Sequence, residues 1–180
     1  MPGMTDAGKH LTLVLGGARS GKSRHAEALV MRSPPPWTYI ATAQAFDDEM
    51  AARIAEHREH RGEGWRTVDA PLDLPGALVA ADGPVLVDCL TLWISNLLLA
   101  GREPDGAALE VALDGRAGPT VLVSNEVGLG IVPDNALARR FRDAAGLLHQ
   151  RLATRATAVV FMVAGLPMMV KDGHPARQGA

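Results

Sequence analysis

The chain has 180 residues, 47% of them hydrophobic, with 18 Lys and Arg against 20 Asp and Glu for a formal net charge of −2. That length suits one α/β domain with a full core and is short for two, and the charge balance speaks against nucleic acid as the main partner. The single cysteine, Cys89, excludes an intrachain disulfide framework, no apolar run approaches membrane-spanning length, and residues 1–10 carry no apolar signal core, so a cytoplasmic protein without a membrane span is expected.

Residues 1–10 are polar and read as a disordered N-terminus, residues 11–171 as a single catalytic domain, and residues 172–180 as a loose tail. The first predicted strand, residues 11–15, runs into Gly16-Gly17-Ala18-Arg19-Ser20-Gly21-Lys22-Ser23. This fits G-x-x-x-x-G-K-[ST], the phosphate-binding loop between a buried strand and a helix. Glycines at 16 and 21 let backbone N–H groups approach phosphate oxygens, and the start of the next helix adds unpaired N–H groups and a positive dipole end. Lys22 can then reach the β- and γ-phosphates, and Ser23 can ligate Mg²⁺. The pattern points to a nucleoside triphosphate.

The loop helix is predicted over 22–31, ended by Ser33-Pro34-Pro35-Pro36. A second strand is expected at 37–42, and a helix from Asp47, with Asp47, Asp48 and Glu49 in its first turn, stopping near Gly62 or Gly64. Further strands are expected at 65–68, 85–88, 120–124 and 158–163, and helices at 71–80, 91–100, 106–113 and 135–153. Gly165-Leu166-Pro167 turns the chain into a last short apolar piece, residues 168–170. Such alternation predicts an α/β fold with a mostly parallel central sheet flanked by helices. Its ligand cleft lies at the strands' carboxyl ends, where the loops after Leu15, Thr42, Asp88 and Ser124 converge.

Several residues in those loops carry chemistry. Asp88 ends an apolar strand, the place for the acid that holds Mg²⁺; the bland alternative is a cap on the next helix. His57 and His60 lie in the charged run Glu56 to Arg61, which composition alone explains as a solvated helix face; a metal pair or a phosphate nucleophile are the other readings. Glu126, after the strand at 120–124, either caps a turn or serves an acceptor hydroxyl. His25 reads as surface or packing, Cys89 as buried rather than reactive, and Arg139, Arg140, Arg142 and Asp143 as solvated ion pairs.

Six segments in colinear order make a longer pattern: GGARSGKSRHAEAL, YIATAQAFDDEMAARIAEHREHR, WRT, VLVDCLTLWISNLL, NEVGLGIVP and RRFRDAAGLLHQRLA. Over residues 11–171 the chain resembles the bifunctional adenosylcobinamide kinase/adenosylcobinamide-phosphate guanylyltransferase family. The resemblance implies a P-loop NTPase (RecA-like) core, a homotrimer, and two reactions in adenosylcobalamin synthesis. ATP or GTP phosphorylates adenosylcobinamide, then GMP passes from GTP to that phosphate through a GMP-histidine intermediate. It selects His57, in Arg53-Ile54-Ala55-Glu56-His57-Arg58-Glu59-His60-Arg61, as the nucleophile, overturning the bland reading. It gives Lys22 and Mg²⁺, held by Ser23 and Asp88, the task of stabilising the leaving group. It assigns nucleotide contacts to residues 16–23, Thr42, Ala43, Gln44, Arg58, Glu59, His60, Arg61, Asp69 and Asp88. The alternatives are a kinase of one activity on another alcohol and a non-catalytic GTP-sensing module. Two departures stand out: His149 replaces the family's usual asparagine, and residues 101–119 are fewer than in some relatives.

Overall fold

The computed structural model describes residues 10–44 and 62–173. The strands are β1 (Leu11–Gly16), β2 (Trp37–Ala41), β3 (Trp65–Asp69), β4 (Val85–Asp88), β5 (Thr120–Asn125), β6 (Ala158–Val163) and β7 (Leu166–Lys171). The helices are α1 (Lys22–Val30), α2 (Leu74–Ala80), α3 (Leu90–Leu99), α4 (Gly106–Asp114) and α5 (Ala136–Arg155). They flank one seven-stranded sheet ordered β3-β2-β4-β5-β1-β6-β7, parallel except for the β6–β7 pair. The helix expected from Asp47 lies outside the described residues.

Central strands buried on both faces read as near-continuous apolar runs, with alternate residues serving opposite sides. In β4, Val85 and Val87 join the core under α2, α3, α4 and α5, together with Leu13, Ile40 and Leu122. Leu86 faces the other way, with Val14, Val121 and Val123, onto Ala26 and Val30 of α1. Three helices start on side-chain caps: Asp73 accepts the Gly76 N–H, Asp105 that of Ala108 and Asn135 that of Ala138, each at 2.9 Å. The Asp73 cap sets the start of α2 at Leu74, three residues later than the apolar pattern predicts.

The tail end of the domain differs from expectation. The short apolar piece at 168–170 is part of a six-residue strand, β7, joined to β6 by Ala164 and Gly165, both with positive φ (50° and 80°). That conformation suits a tight hairpin. Pro167 is tolerated because β7 is the sheet's outer strand.

Candidate functional site

β5 lies between β1 and β4, so the carboxyl ends of all three strands meet beside the loop that follows β1. The loop has the backbone its glycines require. Gly16 has φ +153°, and a Cβ there would lie 2.7 Å from the carbonyl oxygen of Met162 and from Ser20 Oγ. Gly21, at φ +91°, is the N-cap of α1 and leaves the first turn without a side-chain cap, an arrangement that suits an anion. The loop is strapped from behind, where the Gly165 N–H donates to the Ser20 carbonyl at 3.1 Å.

Lys22 is buried, and its Nζ donates to the Gly17 carbonyl at 2.6 Å, inside the loop. Burial pushes its pKa down, while the carboxylate of Asp88 works the other way. Ser23 Oγ donates to Asp88 Oδ2 at 2.9 Å, and the Tyr39 hydroxyl donates to the same oxygen at 2.9 Å. Asp88 thus turns toward the loop; the next helix has Cys89 as its N-cap, so Asp88 does not cap it. A hydroxyl and a carboxylate in contact beside a phosphate loop fit Mg²⁺, which takes one or two protein oxygens and completes its shell with phosphate and water. Among the described residues no group of three His, Cys, Asp or Glu could hold a metal ion alone.

The remaining sequence-selected residues divide. Thr42 is buried and its hydroxyl is used on the backbone: it donates to the Cys89 carbonyl at 2.7 Å and accepts the Cys89 N–H at 2.8 Å. Asn96 of α3 donates to the Thr42 carbonyl at 2.7 Å, so the route into Ala43 and Gln44 is fixed from below. Asp69 and Asp88 both stand level with Ala41, on either side of β2. Two strand spacings, roughly 10 Å, therefore separate them, and Asp69 is outside any metal shell centred on Asp88. Cys89 is buried, its thiol pushed up by burial and its Sγ 2.9 Å from Thr91 Oγ1. Arg139 holds the carbonyls of Pro133 and Asp134, and Arg140 pairs with Glu103, in line with solvated surface roles. His57, Arg58, Glu59, His60 and Arg61 lie outside the described residues.

The model of the cobinamide kinase / cobinamide phosphate guanyltransferase family matches residues 12–170. The bifunctional adenosylcobalamin biosynthesis protein CobP of Pseudomonas aeruginosa is 53% identical over 170 residues, covering 91% of this chain and 98% of the relative. The bifunctional adenosylcobalamin biosynthesis protein CobU of Salmonella typhimurium is 47% identical, over 89% of this chain and 99% of its own. The chain belongs to this family. Membership and the observed sheet agree with the α/β P-loop fold expected from the sequence.

Two contributors to the site escaped sequence reasoning. Tyr39 sits inside an ordinary β-strand pattern, and only the pairing of β2 with β4 brings its hydroxyl to Asp88. His149, noted in the sequence as standing in place of the family's usual asparagine, is 7% exposed, and its Nε2 lies 2.7 Å from Ser124 Oγ. Its spacing from Ala145, Leu148 and Leu152 placed it on the buried face of α5, which was the available signal.

Proposed function

We propose that this chain phosphorylates the side-chain hydroxyl of adenosylcobinamide with ATP or GTP and then transfers GMP from GTP to the new phosphate, releasing pyrophosphate and forming adenosylcobinamide-GDP. The observation that carries this reading is the Ser23–Asp88 contact at 2.9 Å beside a phosphate loop, in a chain that the family model matches over residues 12–170.

In the first reaction the acceptor oxygen forms a bond to the γ-phosphorus as the bond to the β,γ-bridging oxygen breaks, and the nucleoside diphosphate leaves. The loop N–H groups and Lys22 bind and orient the phosphates. Ser23 and Asp88 hold Mg²⁺, which spreads the negative charge of the phosphates. In the second reaction His57 attacks the α-phosphorus of GTP and pyrophosphate leaves. An oxygen of the cobinamide phosphate then displaces the imidazole, breaking the P–N bond and returning His57 unchanged. A neutral imidazole is available for this near pH 7. Thr42, Ala43, Gln44, Arg58, Glu59, His60, Arg61 and Asp69 surround the nucleotide.

The enzyme is a cytoplasmic homotrimer in this reading. No described helix is long and apolar enough to cross a membrane. Outer strand β7 leaves Leu166, Met168, Met169 and Val170 between 52% and 70% exposed, an apolar edge that a second copy of the chain covers.

GTP radiolabelled at the α-phosphorus tests the chemistry. The protein is expected to take up an acid-labile, alkali-stable label that His57→Ala abolishes. Label retained without His57 refutes the assignment.

A further inference from the structure

Transfer of a phosphoryl group to an aliphatic alcohol leaves one proton to be accepted, and neither the phosphate loop nor His57 is assigned that task above. Among the described residues, three carboxylates stand at the carboxyl ends of the parallel strands. Asp69 lies a strand beyond β2, and Asp88 is committed to Ser23 and Tyr39. The third, Glu126, immediately follows β5, and its N–H donates to the carbonyl of Gly16 at 2.9 Å. It therefore borders the first glycine of the phosphate loop, on the side of β1 that faces Asp88.

The two oxygens of Glu126 are held differently. Oε1 accepts the Gly128 N–H at 2.5 Å, which fixes the carboxylate to its own turn. Oε2 lies 3.9 Å from Nδ1 of His149, and the other ring nitrogen of His149 is 2.7 Å from Ser124 Oγ. The Glu126 side chain is 22% exposed and that of His149 only 8%, so the carboxylate reaches solvent while the imidazole is sealed. Burial pushes the pKa of His149 down and favours a neutral ring. The Ser124 contact suits either tautomer; in the one where the Ser124 hydroxyl donates to Nε2, the ring proton sits on Nδ1 and faces the carboxylate. At 3.9 Å this is a dipole directed at Oε2 rather than a direct hydrogen bond.

We propose that Glu126 accepts the proton of the acceptor hydroxyl in the phosphoryl-transfer reaction, and that His149, braced on Ser124, is its positioning residue. The inference rests on the kinase activity proposed above and names the group that activates its acceptor. As the O–H bond breaks, the proton passes to Oε2 and the oxygen's electron pair forms the bond to the γ-phosphorus. The pair of the broken P–O bond stays on the nucleoside diphosphate. Glu126 then releases its proton to water at the mouth of the cleft.

The test separates the two reactions of one protein. Formation of the GMP–protein adduct from GTP needs no acceptor hydroxyl, so it serves as the internal control. Glu126→Gln is expected to lower kcat for phosphorylation of adenosylcobinamide about 10²–10⁴-fold, the usual worth of general-base assistance. Its KM for nucleotide and its rate of adduct formation should stay within about twofold of the wild type. Glu126→Asp, which keeps a carboxylate, should retain more phosphorylation than Glu126→Gln. His149→Leu should lower phosphorylation alone, and His149→Asn, with an N–H donor restored, should recover most of the loss. Phosphorylation at the wild-type rate in Glu126→Gln overturns the proposal, as does equal loss of both reactions in the Gln and Asp variants. His149→Asn no better than His149→Leu overturns the positioning role. Wild-type protein that cannot phosphorylate adenosylcobinamide at all overturns the functional reading itself, a result distinguishable because it needs no variant.

Discussion

Arg116 has the most demanding set of hydrogen bonds among the described side chains, and it lies at the end of the sheet away from the phosphate loop. The residue is 7% exposed and its guanidinium serves four acceptors. Nε donates to Thr120 Oγ1 at 2.8 Å, Nη1 to the carbonyls of Leu78 at 2.8 Å and Ala81 at 2.6 Å, and Nη2 to the carbonyl of Gly83 at 2.5 Å. The end of α2, the turn before β4 and the start of β5 are thus tied by one planar fork. Replacement by methionine fills much of the volume and removes every donor. Gly83 is exposed and Ala81 half-buried, so water can replace the fork at those two carbonyls. Leu78 and Thr120 are buried and would keep only long contacts, the Ala81 N–H on the Leu78 carbonyl and Thr120 Oγ1 on the Gly118 carbonyl, each at 3.4 Å, so each loses a short bond to a charged donor, at about 1.5–3 kcal/mol each. Relief of the buried cation offsets part of this, since burial already lowers the pKa of Arg116. The expected loss for Arg116→Met is about 3 kcal/mol, or roughly 6–12 °C in Tm for a chain of this size. Arg116→Lys, with a compact ammonium that cannot span all four acceptors, should lose about half as much. Urea unfolding followed by tryptophan fluorescence measures both, and the GMP-adduct rate of the folded variants should match the wild type. A loss below about 1 kcal/mol for the methionine variant, with an unchanged m value, would refute this reasoning.

Two further outcomes bear on the site. Ser23→Ala removes a hydroxyl that touches Asp88 Oδ2, and should raise the Mg²⁺ concentration for half-maximal adduct formation by about tenfold or more; an unchanged Mg²⁺ titration counts against Ser23 as a ligand. His149 has a pKa lowered below 6.5 by burial, so below that pH the unfolded chain takes up a proton that the folded chain resists. Stability contributed by the neutral ring is therefore present above about 6.5 and falls away as the solution is acidified, by at most about 1.4 kcal/mol per pH unit. Subtracting the urea-derived stability of His149→Asn from that of the wild type at each pH isolates this slope, because His25, also lowered by burial, is common to both. A difference that does not change with pH would refute it.

The parts of this molecule that were legible in the sequence are those encoded by neighbours along the chain. The phosphate loop announces itself because its backbone needs glycine at 16 and 21, where φ is +153° and +91°. The central strands announce themselves because burial on both faces leaves no polar residue in Val85-Leu86-Val87 or Val121-Leu122-Val123. Asp88 was legible for the same reason, as the first acid after such a run. The β6–β7 hairpin was legible only as a turn at Gly165-Leu166-Pro167 before a short apolar piece; its other positive-φ residue, Ala164, carries no turn signal, and Pro167 hides the start of β7. Pairings across the chain were also hidden. Nothing local to Thr38-Tyr39-Ile40 says that β4 lies beside β2, yet that neighbour decides that Tyr39 holds Asp88. The insertion of β5 between β1 and β4 has the same character: it turns Glu126 from a residue 110 positions after Gly16 into one whose N–H is bonded to it. It also sets Ser124 against α5, where His149 reaches it. A glutamate in a turn and a histidine in a helix are each unremarkable alone. Strand order makes them a contiguous polar path to the phosphate loop, and therefore a single unit for the paired kinase and adduct assays to probe.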